Sequence, residues 1–179
     1  VKNLLIVVDM LNDFCHKDGV LATSPITGEL YAEPIITPVQ NLVESYRAAG
    51  LPIIWLTDGH SKNDKEFDRF PPHAIFDTWG AKIIDELKPT KPGDEMIILK
   101  RRYSGFFNTD LGFQLTRLAP EKVEVVGVCT SICVMDTVGG LANRDYKIVI
   151  HKNCVADFDP AAHEAALARM EGLYGAKIV

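Results

Sequence analysis

Cysteine is scarce in this sequence, with 4 among 179 residues. So few cannot staple a chain of this length, so a reducing, cytoplasmic setting is expected. Positive charge is not in excess either: 19 Lys and Arg stand against 24 Asp and Glu, a formal net charge of −5. That balance argues against nucleic acid or an anionic membrane as partner, because neither gains from counterion release or attraction. The cluster "KRR" at 100–102 is too short to reverse this and reads as a solvated edge. Also missing is any apolar run of the roughly 18 residues that a spanning helix needs. No signal-peptide pattern opens the sequence, and "LLIVV" at 4–8 is strand-sized and runs straight into Asp9. Repeats, low-complexity tracts and linkers are lacking too. What is present is 47% apolar residues. That is enough to bury a substantial core, and a single domain over residues 1–179 is expected.

Short β-branched runs alternate with longer helical patterns. "NLLIVVD" (3–9), "PIIWLTD" (52–58), "EMIILK" (95–100), "KVEVVGV" (122–128), "YKIVIH" (146–151) and "AKIV" (176–179) read as strands. They are nearly continuous in apolar residues, as strands covered on both faces should be. Between them, residues 34–50 read as a helix with a stop at Gly50, and 108–120 as one with Asn108 or Thr109 as cap. Residues 131–145 and 159–175 follow. The last has Asp159 as N-cap, Pro160 in the first turn and Gly175 past the end. The alternation predicts an α/β fold, a parallel sheet with helices on both faces. Residues 13–33 and 58–80 fit neither pattern, and long irregular segments in a compact domain are usually functional loops.

In an open parallel sheet, ligands bind beyond the carboxyl ends of strands, near a topological switch point. Asp9, Asp58, Lys100 and the Gly127-Val128-Cys129 segment end the first four strands. Each alone has an ordinary explanation as a turn former, a solvated strand end or a small buried thiol. Their co-occurrence on one edge points to a site.

Cys129 and Cys133 stand i, i+4 where the fourth strand gives way to a helix. This is not the C-x-x-C spacing of a redox pair. Cys133 falls in the first helical turn, where unpaired N–H groups and the helix dipole favour a thiolate, with a pKa lowered to roughly 3.5–7.5. The same N–H groups suit an oxyanion on a carbonyl attacked by that sulfur. Lys100 and Asp9 are available as the cation and the proton shuttle. Cys129 reads as a small packing residue at the turn.

The segments "VVDMLNDF" (7–14), "LKRRYSGFFNTDL" (99–111) and "GVCTSICVMDT" (127–137) together resemble the isochorismatase-like cysteine hydrolases, and the resemblance covers essentially the whole chain. It implies a three-layer α/β/α, Rossmann-like architecture on a six-stranded parallel sheet, with an Asp9–Lys100–Cys133 triad. It also implies a non-proline cis peptide between Val128 and Cys129, and an oxyanion hole made by the backbone N–H groups of Cys129 and Cys133. Many members carry Ala where this chain has Cys129, a substitution that leaves the backbone donor intact.

The loop "TDGHSKNDKEFDRFPPH" (57–73) places Asp58 and His60 i, i+2 after a strand, with His73 behind a rigid "FPP". Two imidazoles and a carboxylate suit Zn²⁺, Mn²⁺ or Fe²⁺, with positions left for water or substrate. Polar loops also carry such residues without a metal, so spacing alone leaves the matter open. The nicotinamidase branch of the family has Asp-x-His followed by Pro-Pro-His at this place, and some members add a Glu that corresponds to Glu66. The resemblance therefore implies a divalent metal, Zn²⁺ foremost, held by Asp58, His60, Glu66 and His73, and no organic cofactor. The branch often has Asp-Trp-His-Pro where this chain has "DGHS". Phe14, Phe70 and Tyr103 match aromatic positions that wall the substrate ring, though each alone would also serve as core packing.

The expected reaction is hydrolysis of nicotinamide to nicotinate and ammonia through a thioester on Cys133. The expected partners are a small-molecule amide and further copies of the chain, in a dimer or tetramer. Three other readings remain: an amidase for carbamoyl or ureido compounds, which would not need the metal set; isochorismatase proper, which requires neither the thiol nor the metal; and a non-catalytic binding module. Asp13 reads as a hydrogen-bonding partner of its following loop. Cys15, Cys154, His16 and His151 receive no role, and His163 reads as an ordinary helix residue.

Overall fold

A computed structural model describes residues 2–90 and 93–179. Strand β1 (Asn3–Val8) leads through a short helix α1 (Asn12–Cys15) and an irregular segment into α2 (Glu33–Ala49) and β2 (Ile53–Asp58). Three 3-10 turns (Lys65–Asp68, Trp79–Ala81, Asp85–Leu87) fill the path to β3 (Glu95–Lys100). Then come α3 (Leu111–Leu118), β4 (Lys122–Val128), a π turn (Thr130–Val134), α4 (Met135–Ala142), β5 (Ile148–Ala156), α5 (Pro160–Gly172) and β6 (Lys177–Ile178).

The sheet has six strands in the order β3-β2-β1-β4-β5-β6. Every pair is parallel. This is the expected α/β fold, and its physical cause is visible in β1. Leu5 and Val7 point into one apolar layer with Ile35, Val39 and Val43 of α2. Leu4, Ile6 and Val8 point into the other, with Leu111 and Leu115 of α3, Val138 and Leu141 of α4, and Leu167 and Met170 of α5. Both faces of the strand are buried, so both sets of alternate residues are apolar, each fully buried side chain contributing about 1.5–3 kcal/mol. The strand order reverses between β1 and β4, and this switch point is where the site lies.

Several boundaries differ from the sequence expectation. Helix α3 begins at Leu111, after Asp110, rather than at a cap on Asn108 or Thr109. Asn108 instead takes a left-handed φ of 51°, and the Thr109 hydroxyl accepts from Leu111 N at 3.3 Å. The stretch 131–145 is not one helix. Cys129 O accepts from both Ile132 N and Val134 N, so the first turn is π-wound before α4 starts at Met135. Strand β5 runs on to Ala156, because its pairing with β4 slips between Val125 and Gly127 and resumes at Val155. The expected end at His151 lies within that irregularity. At α5 the expectation holds: the Asp159 side chain accepts from Ala161 N and Ala162 N, and Gly175 has a φ of 67° past the end. No helix among the described residues is long and apolar enough to cross a membrane.

Candidate active site

Asp9 follows β1 with a left-handed φ of 50°, pinned because its N–H donates to Leu56 O at 2.9 Å. Its Oδ1 accepts from Asp58 N at 2.9 Å. Lys100 ends β3, in register with Asp58 on β2, and its side chain reaches inward across that strand's end. Nζ lies 2.6 Å from Asp58 Oδ1 and 2.7 Å from Asp9 Oδ2, and donates to Cys133 Sγ at 3.4 Å. Sγ of Cys133 and one carboxylate oxygen each of Asp9 and Asp58 lie within 4.8 Å of one another. The ammonium, thiol and acid that the sequence placed on separate strand ends thus meet.

Cys133 is aimed by the end of β4. Gly127 has a φ of 114°, and a Cβ there would meet Val8 O at 2.0 Å, so only glycine lets β4 close on β1. The peptide between Val128 and Cys129 is cis. The turn that follows is tied down twice. Asp157 Oδ2 accepts from Ser131 N at 2.8 Å and from the Ser131 hydroxyl at 2.7 Å, and Thr130 Oγ1 lies 2.8 Å from His163 Nδ1. His163 is therefore a tether of this turn, not an ordinary helix residue.

Burial, and then the charge of Asp58, push the Asp9 carboxyl up to about 6 against the pull of Lys100. Burial would raise Asp58 too, but the Lys100 charge and the His60 contact outweigh it and hold it below the usual carboxylate range. Burial works against the Lys100 ammonium, yet Asp58, Asp9 and Cys133 raise it well above its ordinary value. The thiol departs from the sequence expectation. Burial first, with Asp9 and Asp58, pushes Cys133 well above the ordinary thiol value although Lys100 pulls the other way. At rest the Cys133 thiol holds its proton. Helix-end reasoning overlooked two carboxylates facing the same turn.

The metal-type residues converge beside this group. His60 Nε2 is 3.5 Å from Asp58 Oδ2 and 3.9 Å from Glu66 Oε1, which is itself 3.7 Å from His73 Nε2. Donor atoms of Asp58, His60 and His73 lie within 4.8 Å of one another. A cation fits this set on two grounds. His60 Nε2 and Glu66 Oε2 are buried without a hydrogen-bond partner, a costly state that a bound ion relieves. Also, carboxylates outnumber the cations around His60, enough to raise its pKa although burial works the other way.

One cavity of about 320 Å³ joins the two groups, its lining including Asp9 and Cys133 as well as Asp58, Glu66 and His73. Phe14, Phe70 and Tyr103 all line it. Phe14 and Phe70 set their rings edge-on to His73 at 5.5 and 6.1 Å. Cys129 lines it as well, its thiol donating to the Tyr31 hydroxyl at 3.6 Å. Tyr31 and Phe158 form a further wall, ring centroids 6.2 Å apart. Sequence reasoning missed both, along with Asp64 and Asp157. Only Asp64 left a signal, four residues after His60 and two before Glu66. The segments 13–33 and 58–80 do carry much of the lining, from Val20, Leu21 and Tyr31 to Glu66, Phe70 and His73. Asp13 ties the two together, accepting from Val20 N at 3.4 Å and Ala74 N at 2.8 Å.

The remaining cysteines are buried and unpaired in disulfides. Cys15 meets Met10 Sδ at 3.9 Å and Cys154 the Asn153 side chain at 3.4 Å. His16 pairs with Asp18 at the surface, and His151 of β5 bonds Glu124 of the neighbouring β4.

A buried thiol–ammonium–carboxylate cluster thus lies at the switch point of a parallel sheet, and such a fold and site define a hydrolase of the isochorismatase type. The family model described as Isochorismatase domain matches residues 3–179, and the chain belongs to that family. A curated relative, an uncharacterized isochorismatase family protein, PncA, of Bacillus subtilis strain 168, is 33% identical over 99% of both chains. Among solved structures, the nicotinamidase/pyrazinamidase PncA from Bacillus subtilis matches with a TM-score of 0.91 at 32% identity, covering 100% of each chain. N-carbamoylsarcosine amidase from Thermoplasma acidophilum matches at 0.85 and 30%, over 99% of this chain and 95% of that one. The pyrazinamidase of Pyrococcus horikoshii in complex with zinc matches at 0.88 and 28%, over 100% and 99%.

Proposed function

We propose that this chain hydrolyses nicotinamide to nicotinate and ammonia through a thioester on Cys133. The observation that carries the reading is the shared cavity, lined both by Cys133 and Asp9 and by Asp58, Glu66 and His73. Its volume of about 320 Å³ is at the small end of ligand pockets, roughly 300–1,000 Å³, which suits a small amide and not a peptide.

In this reading Asp9 takes the Cys133 proton as sulfur attacks the carboxamide carbon. Lys100 stays 3.4 Å from Sγ and balances the charge that forms there. Backbone N–H groups of Cys129 and Cys133 receive the oxyanion, a role worth about 2.7–4 kcal/mol for one donor. As the C–N bond breaks, Asp9 returns the proton to the departing nitrogen, which leaves as ammonia. Asp9 next takes a proton from a water, whose oxygen attacks the thioester. The C–S bond breaks, nicotinate leaves and the thiol regains its proton. Phe14, Phe70 and Tyr103 wall the ring and exclude water from it. Asp58, His60, Glu66 and His73 would hold a divalent cation, Zn²⁺ foremost, with Mn²⁺ and Fe²⁺ compatible with the same donors. When bound, that ion supplies a Lewis acid for the pyridine nitrogen. The similarity to a zinc-bound pyrazinamidase supports this reading. A second reading, hydrolysis of a carbamoyl or ureido amide, is favoured by the likeness to N-carbamoylsarcosine amidase.

Ammonia release measured over a panel of small amides tests the proposal. Nicotinamide is expected to give the highest kcat/KM. Cys133→Ala is expected to lower turnover on the order of 10⁴-fold or more while still binding nicotinamide. Preference for a carbamoyl or ureido compound would move the assignment to the second reading, and normal turnover by Cys133→Ala would remove the nucleophile.

A further inference from the structure

His60 and His73 each have one ring nitrogen pinned from behind. His73 Nδ1 lies 2.7 Å from Pro71 O, and His60 Nδ1 lies 3.1 Å from Asp64 Oδ2. A carbonyl and a carboxylate only accept, so each Nδ1 carries a hydrogen, and Nε2, turned toward Glu66 and in His60 also toward Asp58, is the nitrogen left for an ion. The two anchors differ in kind. Pro71 offers a backbone oxygen two residues away, whereas Asp64 is a buried anion, 9% exposed, with partners on its own loop and on the loop after β3.

Four hydrogen bonds fix that carboxylate. Oδ1 accepts from Glu66 N at 2.9 Å and from Arg102 Nη1 at 3.0 Å. Oδ2 accepts from Arg102 Nη1 at 3.1 Å and from His60 Nδ1. The bond from Glu66 N also makes Asp64 the cap of the turn Lys65–Asp68, which carries Glu66. One side chain thus orients two members of the donor set. Arg102, whose side chain is 41% exposed, stands on the loop after β3 beside Tyr103 and ties that loop to this one.

We propose that Asp64, locked by Arg102, is the positioning residue that presents His60 Nε2 and Glu66 to a divalent cation, so that a surface arginine governs the hold on the metal. The buried, unpartnered Nε2 of His60 is the independent sign that this imidazole is turned toward a ligand. The inference rests on the metal reading proposed above. Outer carboxylates of this kind fix the tautomer of a ligand histidine and raise its basicity, and losing one typically costs about 10–100-fold in metal affinity.

The test uses the full chain stripped with a chelator and titrated with Zn²⁺ against a chromophoric competitor. Asp64→Ser keeps an N-cap oxygen for Glu66 N but withdraws the anion from His60 and Arg102. It is expected to weaken Zn²⁺ binding by about 10–100-fold. Arg102→Ala, at a partly exposed site that leaves folding intact, is expected to weaken it by about three- to fivefold, the scale of an exposed ion pair. Arg102→Lys is expected to restore part of that loss. A readout indifferent to general loosening is the ¹⁵N spectrum of the metal-free chain, taken at a pH high enough that its histidines are neutral. His60 should be in the Nδ1–H form in the wild type and mixed in Asp64→Ser. Wild-type affinity in either Asp64→Ser or Arg102→Ala, or an unchanged His60 tautomer in Asp64→Ser, overturns the inference alone. A wild-type chain that binds no divalent ion overturns the metal reading and the inference with it.

Discussion

Lys100 concentrates the electrostatics of the site in one atom. Its side chain is fully buried, and Nζ faces two carboxylates and a thiol at 2.6, 2.7 and 3.4 Å. Removing one partner of a buried charge cluster leaves the rest uncompensated, at a cost of about 3–5 kcal/mol. Lys100→Met is therefore expected to lose most of its turnover and also to unfold at markedly lower urea concentration. Stability equal to the wild type would show that Asp9 and Asp58 are not held as an ion cluster. The sequence disclosed this residue because an apolar run ended in Lys. It could not disclose the state of the thiol, which depends on carboxylates brought in from β1 and β2. Tyr31 and Phe158 escaped for a related reason: an aromatic in a loop has no periodicity to say which way it faces.

At the scale of elements, the close of β4 decides where Cys133 stands. Gly127 has a φ of 114° and lies so near Val8 that an added Cβ would meet the carbonyl oxygen at 2.0 Å. Gly127→Ala combines a strained backbone, about 1–3 kcal/mol, with an overpacked junction of similar cost. Thermal unfolding is expected to drop by about 5–15 °C, taking roughly 2–4 °C per kcal/mol for a chain of this size. A melting point within a degree or two of the wild type would mean that β1 and β4 part easily there. The π turn beyond it was not legible in the sequence, since "SICVMDTVGGLANRD" carries one helical pattern throughout. Its extra winding comes from Cys129 O serving two amides while Asp157, distant in sequence, holds Ser131. The extension of β5 was hidden likewise, because polar "HKN" lies in a register slip rather than at a strand end.

Across the whole molecule, one buried carboxylate links the sheet to its surroundings. Glu124 of β4, 6% exposed, bonds His151 of β5 and is paired with Lys122 at 2.7 Å. The His151 contact foremost, with Lys122 and Tyr46 of α2, holds its carboxyl at about 2 against an ordinary value of 4.5, although burial works the other way. A depressed carboxyl stabilises the fold above its unfolded value and ceases to do so as pH falls through its folded one. Wild-type stability should therefore fall between about pH 4.5 and pH 2 through this group. Glu124→Gln should lower stability at neutral pH by about 1.5–3 kcal/mol, the worth of a charge-assisted hydrogen bond, and flatten the fall on the acid side. Chemical denaturation at several pH values measures both, and an acid limb as steep as the wild type's would remove Glu124 from the account.

The sequence by itself determined the layered parallel sheet, the edge on which the site would lie, and the residue types gathered there. These follow from local physics: apolar runs too continuous for a one-sided sheet, Pro and Gly as stops, and a polar or reactive residue where each run ended. Only the tertiary structure decided that Lys100 crosses the end of β2 to reach Asp9, that Cys133 keeps its proton, and that Asp64 and Arg102 stand behind His60. Charge, burial and hydrogen-bond partnership depend on distances between segments far apart in the chain. Such distances exist only once the sheet has closed around them.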